Sequence, residues 1–498
     1  MRSILIGSFL VAIAAAPLTG QEHWPGRDRL EAERCTPLKG DAAQWLRRAD
    51  SATGLARLGD RILSFSGDEV STDFFEADRT YPPFLSTSRQ YKWWFDPTTG
   101  VERIAVGTTT TGAPLQNVVR TAAATFMARD TVLQANPQLH AFFASGRALS
   151  PLAVLRDWEA ASGVAVSARC VFREYPRVVL TRANASDRLY LDEKTGIPVK
   201  FERTEPHYLW GQVLAEYVYA TWWQMGPAIL PLVSVRYFDG VEELRRAVAL
   251  PPRAASVLAT AMPRDSAPSL RLPSPLPDVA ATPAAPVIVD TIRVGPNTVL
   301  LRSKSYTHAA TLAADTLFLF DATTSEERSR ADLVLLASLF PGRRPIVLVV
   351  TDVAWPHIAG VRFWAARGAI IVTHALLRPI LEAVLARHWT LAPDALERAR
   401  GKLAPRIRAV SGALALGGGA VQLHPIDGVA SEGALVAFLP ADSLLWASDY
   451  IQTAAVPSLY AREVVAAAAR AGFRPTRVAA EHLPLTPWNQ IEALILPP

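Results

Sequence analysis

The sequence predicts a two-part α+β protein: a sheet-rich N-terminal domain followed by a C-terminal domain of α/β layering. Three observations carry this. A proline- and alanine-rich stretch breaks the chain near its middle, hairpin signals crowd the part before it, and short apolar runs alternate with helical stretches after it. The 498 residues suit two to four domains at about 100–200 residues each. Half of them are hydrophobic and 19% are charged, enough to bury large cores. The formal net charge is only +5 and no dense Lys/Arg block occurs, a pattern that disfavours nucleic-acid binding.

Residues 1–20 begin with Arg2, continue as an apolar run from Ile4 to Ala16, and end in small residues before Gln21. This is the layout of a cleavable secretory signal. The run is short for a bilayer core of about 30 Å, and no later segment has about 18 uninterrupted apolar residues. The expected location is therefore secreted or periplasmic, with no membrane-spanning segment once the signal is removed. Cys35 and Cys170 are the two cysteines. In an oxidising compartment they can pair, and equally Cys170 can be an ordinary buried strand residue.

Residues 21–249 read as a largely antiparallel sheet with a few helices. "KWWFDPTTGVERIAVG" and "DRLYLDEKTGIPVKFERTE" each set Asp-x-x-x-Gly between alternating runs, the chemistry of a tight turn between antiparallel strands. Gly226-Pro227 breaks another strand-like run. "NVVRTAAATFMARDTVLQAN" (117–136) and "SPLAVLRDWEAAS" (150–162) read as amphipathic helices. Trp93, Trp94, Trp222 and Trp223 suit either a binding groove or packing on the sheet. No catalytic constellation stands out in this half.

Residues 250–286 lose all periodicity as proline recurs among alanine and serine, and read as an extended linker. In residues 287–498 the runs "DTLFLFDAT", "PIVLVVTD", "AIIVTHA", "ALVAFLP" and "SLLWASD" alternate with "ERSRADLVLLASLF", "RPILEAVLARH" and "AREVVAAAARAGF". That is α/β layering, with polar residues at strand ends where such proteins build sites. "LALGGGAVQL" lacks the Lys-Ser/Thr of a phosphate-binding loop and reads as a tight turn between strands. No GxSxG elbow precedes a helix, so a serine hydrolase has no foothold.

Four segments, "FDATTSEE", "VVTDVAWPHIAGVRFWAARGAIIVTHA", "ASEGALVAFLPADSLLWASDYI" and "EHLPLTPWNQIEAL", together resemble the metallo-β-lactamase superfamily in order and spacing. The resemblance implies a four-layer αββα sandwich with a metal site at one edge. That family's motif Thr-His-x-His-x-Asp-His-x-x-Gly gathers ligands on one turn for one or two ions. Here the run from Thr351 to Gly360 puts Asp352, Ala354 and Pro356 at the first, second and acidic ligand positions and keeps only His357. The later His-Thr-x-Gly turn is Ala430-Ser431-Glu432-Gly433, while Asp449 and His482 are intact. A two-metal centre therefore lacks donors.

Two readings remain. In one, the site is degenerate and the chain is a weakly active or inactive hydrolase. In the other, His357, Asp449 and His482 hold one zinc or iron ion, with Asp352 as a fourth ligand or as general base. A rival of another class is a non-catalytic binding or scaffold protein for a small molecule or envelope component. A convergence of the three ligands in an open cleft would favour the enzyme, and Trp355 filling that space would favour the scaffold. Asp321 is expected to order the site, His374 not to ligate, and His308, His388 and His424 to be surface or loop residues.

Overall fold

The structure is a computed structural model that describes residues 34–72, 86–107, 116–129, 132–135, 145–183, 186–248, 259–262, 286–304, 306–352 and 354–495. The signal-like residues 1–20 and most of the 250–286 stretch lie outside these residues.

The two Asp-x-x-x-Gly segments fold as their chemistry dictates. Gly100 and Gly196 adopt φ of 68° and 82°, and each donates its N–H to the carbonyl of the aspartate four residues back, at 2.8 Å. The Asp96 and Asp192 side chains accept from Thr98 and Thr195 N–H. These turns join Ser86–Phe95 to Glu102–Val106 and Arg188–Asp192 to Pro198–His207. The described strands of this half form one 15-stranded antiparallel sheet. Helices Ala42–Thr53 and Pro151–Glu159 are capped by Asp41 and Ser150. Their buried Leu46, Ala49, Leu152, Leu155 and Trp158 join the sheet residues Leu63, Leu180, Phe201 and Tyr217 in one core.

The segment 117–136 departs from its expected helix. Gln116–Arg120, Thr125–Arg129 and Val132–Ala135 are strands at one end of the sheet. Thr121 Oγ1 accepts from Ala123 and Ala124 N–H and turns the chain where the alanines suggested continuity. Val118 and Val119, β-branched and buried, gain more from the sheet than from helical spacing. Cys35 and Cys170 face each other in antiparallel register and form a disulfide. Trp93 and Trp94 are buried in the sheet, and Trp93 donates to Glu102 at 2.8 Å, so these two are packing residues. Within the stretch read as linker, Ala259–Met262 adds a strand against Ile62–Phe65.

In the second half two sheets stack. One runs Asp290–Arg293, Thr298–Ser303, Tyr306–Ala313, Thr316–Phe320, Ile346–Val350, Ile370–His374 and Arg406–Val410, antiparallel and then parallel. The other runs Leu414–Leu416, Val421–Pro425, Leu435–Leu439, Leu444–Trp446, Arg477–Ala479 and Thr486–Pro487. The period-two alternation of a strand sorts their side chains. Phe318, Phe320 and Val349 meet Ala437, Leu439 and Trp446 between the sheets. Leu319, Leu348 and Val350 face outward onto Leu336, Trp364 and Leu381 of the helices. On the far side Val436, Phe438 and Leu445 face Val464, Ala468 and Ile491 of Leu459–Arg470 and Trp488–Ile495. The result is an αββα sandwich. Gly417–Gly419 do form the turn between Leu414–Leu416 and Val421–Pro425.

A polar seam joins the halves. The Arg387 guanidinium donates to Trp210 O at 2.8 Å and Gln212 O at 2.7 Å, and pairs with Asp239. Gly211, at φ 72°, lies so close to Trp389 that a Cβ would come within 2.5 Å of its ring. Beside this seam Tyr208 meets Trp355 edge to face at 5.7 Å. No helix among the described residues is long and apolar enough to cross a membrane.

Candidate metal centre

Four strands of the sandwich end in polar residues at one place. Asp321 follows Thr316–Phe320, Thr351 and Asp352 follow Ile346–Val350, Asp449 lies beyond Leu444–Trp446, and Glu481 and His482 lie beyond Arg477–Ala479. Asp321 adopts φ 70°, a left-handed conformation that aspartate tolerates better than bulkier residues. Its buried carboxylate accepts from Thr351 N–H and Oγ1 at 2.8 Å and from Trp446 Nε1 at 3.0 Å, and Thr351 Oγ1 also bonds Ser448 at 2.9 Å. Asp321 thus orders the site, as expected.

The short helix Trp355–Ile358 carries His357 into the interior, where it is fully buried. Its Nδ1 lies 3.2 Å from Asp321 Oδ2, a close charge contact, and its Nε2 lies 3.6 Å from Glu481 Oε2. His482 Nε2 stands 3.6 Å from the same Glu481 oxygen and 3.7 Å from Asp449 Oδ1. Ligand atoms of His357, Asp449 and Glu481 all lie within 4.8 Å of one another. An ion with bonds of about 2.1 Å has tetrahedral edges of about 3.4 Å, so the three side chains stand near the spacing of ligands to one ion and would draw in slightly to hold it.

The structure therefore brings His357 and Asp449 together with Glu481, which sequence reasoning missed, and places His482 against Asp449 and Glu481 but outside that set of three. The signal was a carboxylate at a strand end beside His482 in "AAEHLP". Asp352 lies alongside with its oxygens engaged: Ala354 N–H donates to it at 2.6 Å, and the Tyr450 hydroxyl donates to it as well. Trp355 packs among aromatic rings beside the cluster. It meets Tyr306 at 5.8 Å, and Tyr306 in turn lies 5.1 Å from the His482 ring. His357 and Glu481 are fully buried, whereas the Asp449 and His482 side chains are 28% and 26% exposed and form the open edge.

Charge in the cluster is lopsided. Burial is the largest influence on Glu481, and Asp449, Asp321 and Asp352 add to it; His357 opposes them, and the carboxyl is pushed up to about 8. Burial presses the His357 imidazole down, but Glu481 and Asp321 outweigh it and hold the ring well above its ordinary value. The two shifts depend on each other, and the pair favours holding a proton that a divalent ion would displace. Among the described residues neither Glu481 oxygen nor His357 Nε2 has a hydrogen bond. Orphaned buried donors and acceptors around a site of the right span fit a metal ion.

Among the other histidines, His308 departs from expectation. It is fully buried on Tyr306–Ala313, with Nε2 3.1 Å from Asp332, which also accepts from Arg328. His388 is exposed, and His374 lies outside the converging ligand set.

No protein-family model matches the chain, and no curated protein matches its sequence. Among solved structures it is similar to the metallo-β-lactamase TMB-1, at 12% identity over 41% of this chain and 94% of that one, with a TM-score of 0.32. It is likewise similar to the metallo-β-lactamase from Erythrobacter litoralis, solved with β-mercaptoethanol in its active site, at 14% identity over 42% of this chain and 94% of that one (TM-score 0.33). The enzyme from Hirschia baltica gives 14% identity over 41% and 94% (TM-score 0.32). The αββα class follows from this chain's own sheets and flanking helices, and a shared fold of this kind does not fix an activity.

Proposed function

We propose that the chain is an exported hydrolase working with one divalent ion, held by His357, Asp449 and Glu481 with His482 completing the set. The observation that carries this reading is Glu481, a fully buried carboxylate without a hydrogen bond among the described residues and 3.6 Å from two imidazole nitrogens. Ionising a buried carboxylate costs free energy, and a cation between these side chains would offset that cost. Two imidazoles and two carboxylates suit zinc or iron. Such an ion would supply Lewis acidity toward a scissile carbonyl or phosphoryl group. The chain's own residues do the positioning. Thr351 and Trp446 fix Asp321, and Asp321 fixes the Nδ1 side of His357 so that Nε2 faces the centre. Asp352, held by Ala354 N–H and Tyr450, braces the same turn. Substrate would enter at the Asp449–His482 edge. The signal-like N-terminus and the Cys35–Cys170 disulfide support export.

A second reading has its own observation. His357 lies between Asp321 and Glu481 and, as an imidazolium, would neutralise them without a metal. The chain would then be a degenerate, non-catalytic platform. Metal analysis of the purified protein separates the two. One zinc or iron per chain, lost in both His357→Ala and Glu481→Gln, supports the hydrolase; a metal-free protein with unchanged stability after chelation supports the platform.

A further inference from the structure

Beside the candidate centre lies a cavity of about 150 Å³ lined by Ile292, Leu300, Arg302, Thr307, His482 and Pro484. A water takes up about 30 Å³ of liquid, so this space admits a group of several heavy atoms. Its lining has three chemistries. Ile292, Leu300 and Pro484 are apolar, Thr307 brings a hydroxyl, and Arg302 brings a guanidinium. Leu300 is fully buried in the core between the sheets, so the sandwich itself fixes that wall. Thr307 donates its N–H to Glu481 O at 2.9 Å, tying the cavity to the strand end that carries Glu481 and His482. His482 belongs to both places: it lines the cavity, and its Nε2 faces Asp449 and Glu481.

Arg302 lies at the exposed end of its strand, across from Thr307 in the hairpin register. Its Nε donates to Lys304 O at 3.3 Å. Asp290 is its cross-strand neighbour on the other side, yet no ion pair joins the two among the described residues. A guanidinium's planar fork matches the oxygens of a carboxylate or phosphoryl group. An apolar lining with one such fork suits a short aliphatic chain that ends in an anion.

We propose that this cavity binds the anionic tail of the substrate, a small aliphatic compound bearing a carboxylate or phosphoryl group, with His482 between the tail and the reacting bond. The proposal rests on the hydrolase reading for the word substrate, but binding in the cavity stands or falls without it. Arg302 would then be a specificity residue.

The test is saturation-transfer NMR of the full chain with butyrate, with propylphosphonate and with neutral butyramide, before and after chelation. At least one of the two anions should bind, and should still bind after chelation. Its affinity should fall by about tenfold or more in Arg302→Ala, as expected for one lost charge-assisted contact. Butyramide should bind more weakly by a similar factor. Butyrate alone would assign a carboxylate, and propylphosphonate alone a phosphoryl group. Binding that vanishes on chelation, persists in Arg302→Ala, or is absent for both anions overturns the proposal. Metal content of Arg302→Ala should equal that of the unsubstituted protein. Arg302-dependent binding to a protein that never carries metal would keep the tail site and sink the hydrolase reading.

Discussion

Replacing Glu481 with glutamine should stabilise the metal-free protein while weakening the metal-loaded one. In the unfolded chain a glutamate carboxyl titrates near 4.3. In the fold, burial and the neighbouring carboxylates push Glu481 up to about 8. The folded state therefore holds this proton more tightly, so the associated stability is complete below about 4.3 and is lost as the pH climbs to about 8. Each unit corresponds to about 1.4 kcal/mol; at pH 7 the unfolded carboxyl is ionised while the folded one still holds its proton, so the metal-free fold loses roughly 3–4 kcal/mol relative to low pH. Glutamine keeps the shape and never ionises. Urea denaturation in excess chelator should find Glu481→Gln roughly 3–4 kcal/mol more stable than the parent at pH 7, with the gap closing toward pH 4.5. With metal added the order should reverse, because the variant has lost a ligand. A variant less stable than the parent in chelator at pH 7 would refute this reasoning, since the carboxylate would then be supported by His357 alone.

Other outcomes follow from the same geometry. Metal affinity should rise about tenfold per pH unit for each proton displaced as the pH approaches 8, measured by competition with a chromophoric chelator. Thr351→Val removes the hydroxyl that bonds Asp321 and Ser448; it should cost about 2 kcal/mol of stability and weaken metal binding about tenfold. Arg362 is buried, with its fork on Asp394 and one nitrogen on the Val384, Leu385 and Arg387 carbonyls. Arg362→Ala should cost about 3–5 kcal/mol in urea titration and, if the protein folds, leave metal stoichiometry unchanged. Cys35 and Cys170 are 135 residues apart in sequence; reduction should cost about 4–5 kcal/mol on the chain-entropy estimate, seen as a lower urea midpoint in dithiothreitol.

What the sequence disclosed was local. Apolar runs such as that around Leu348 to Val350 announce buried strands, and Asp96 with Gly100 announces a turn, because each signal lies within a few residues. The segment 117–136 misled for the same reason: its alanines satisfy a helical spacing, while the neighbouring strand Glu102–Val106 that makes it a sheet pairs only in the fold. His308 looked unremarkable because its partner Asp332 comes from a helix 24 residues on. The site divides similarly. His357 and Asp449, two of the three converging residues, were legible from motif spacing, as was His482 at their edge. Glu481 was not, because its inward placement depends on long-range pairing, Glu481 N–H to Ser448 O at 2.8 Å and Ala447 N–H to Ala479 O at 2.9 Å.

Anomalous diffraction from crystals of the metal-replete protein, collected on both sides of the metal edge, tests the central claim most directly. A single peak about 2.0–2.2 Å from His357 Nε2 and a Glu481 oxygen, with Asp449 or His482 also in the shell, is the predicted result. An empty difference map there, with His357 resting directly against Glu481, or a metal bound without Glu481, would contradict it.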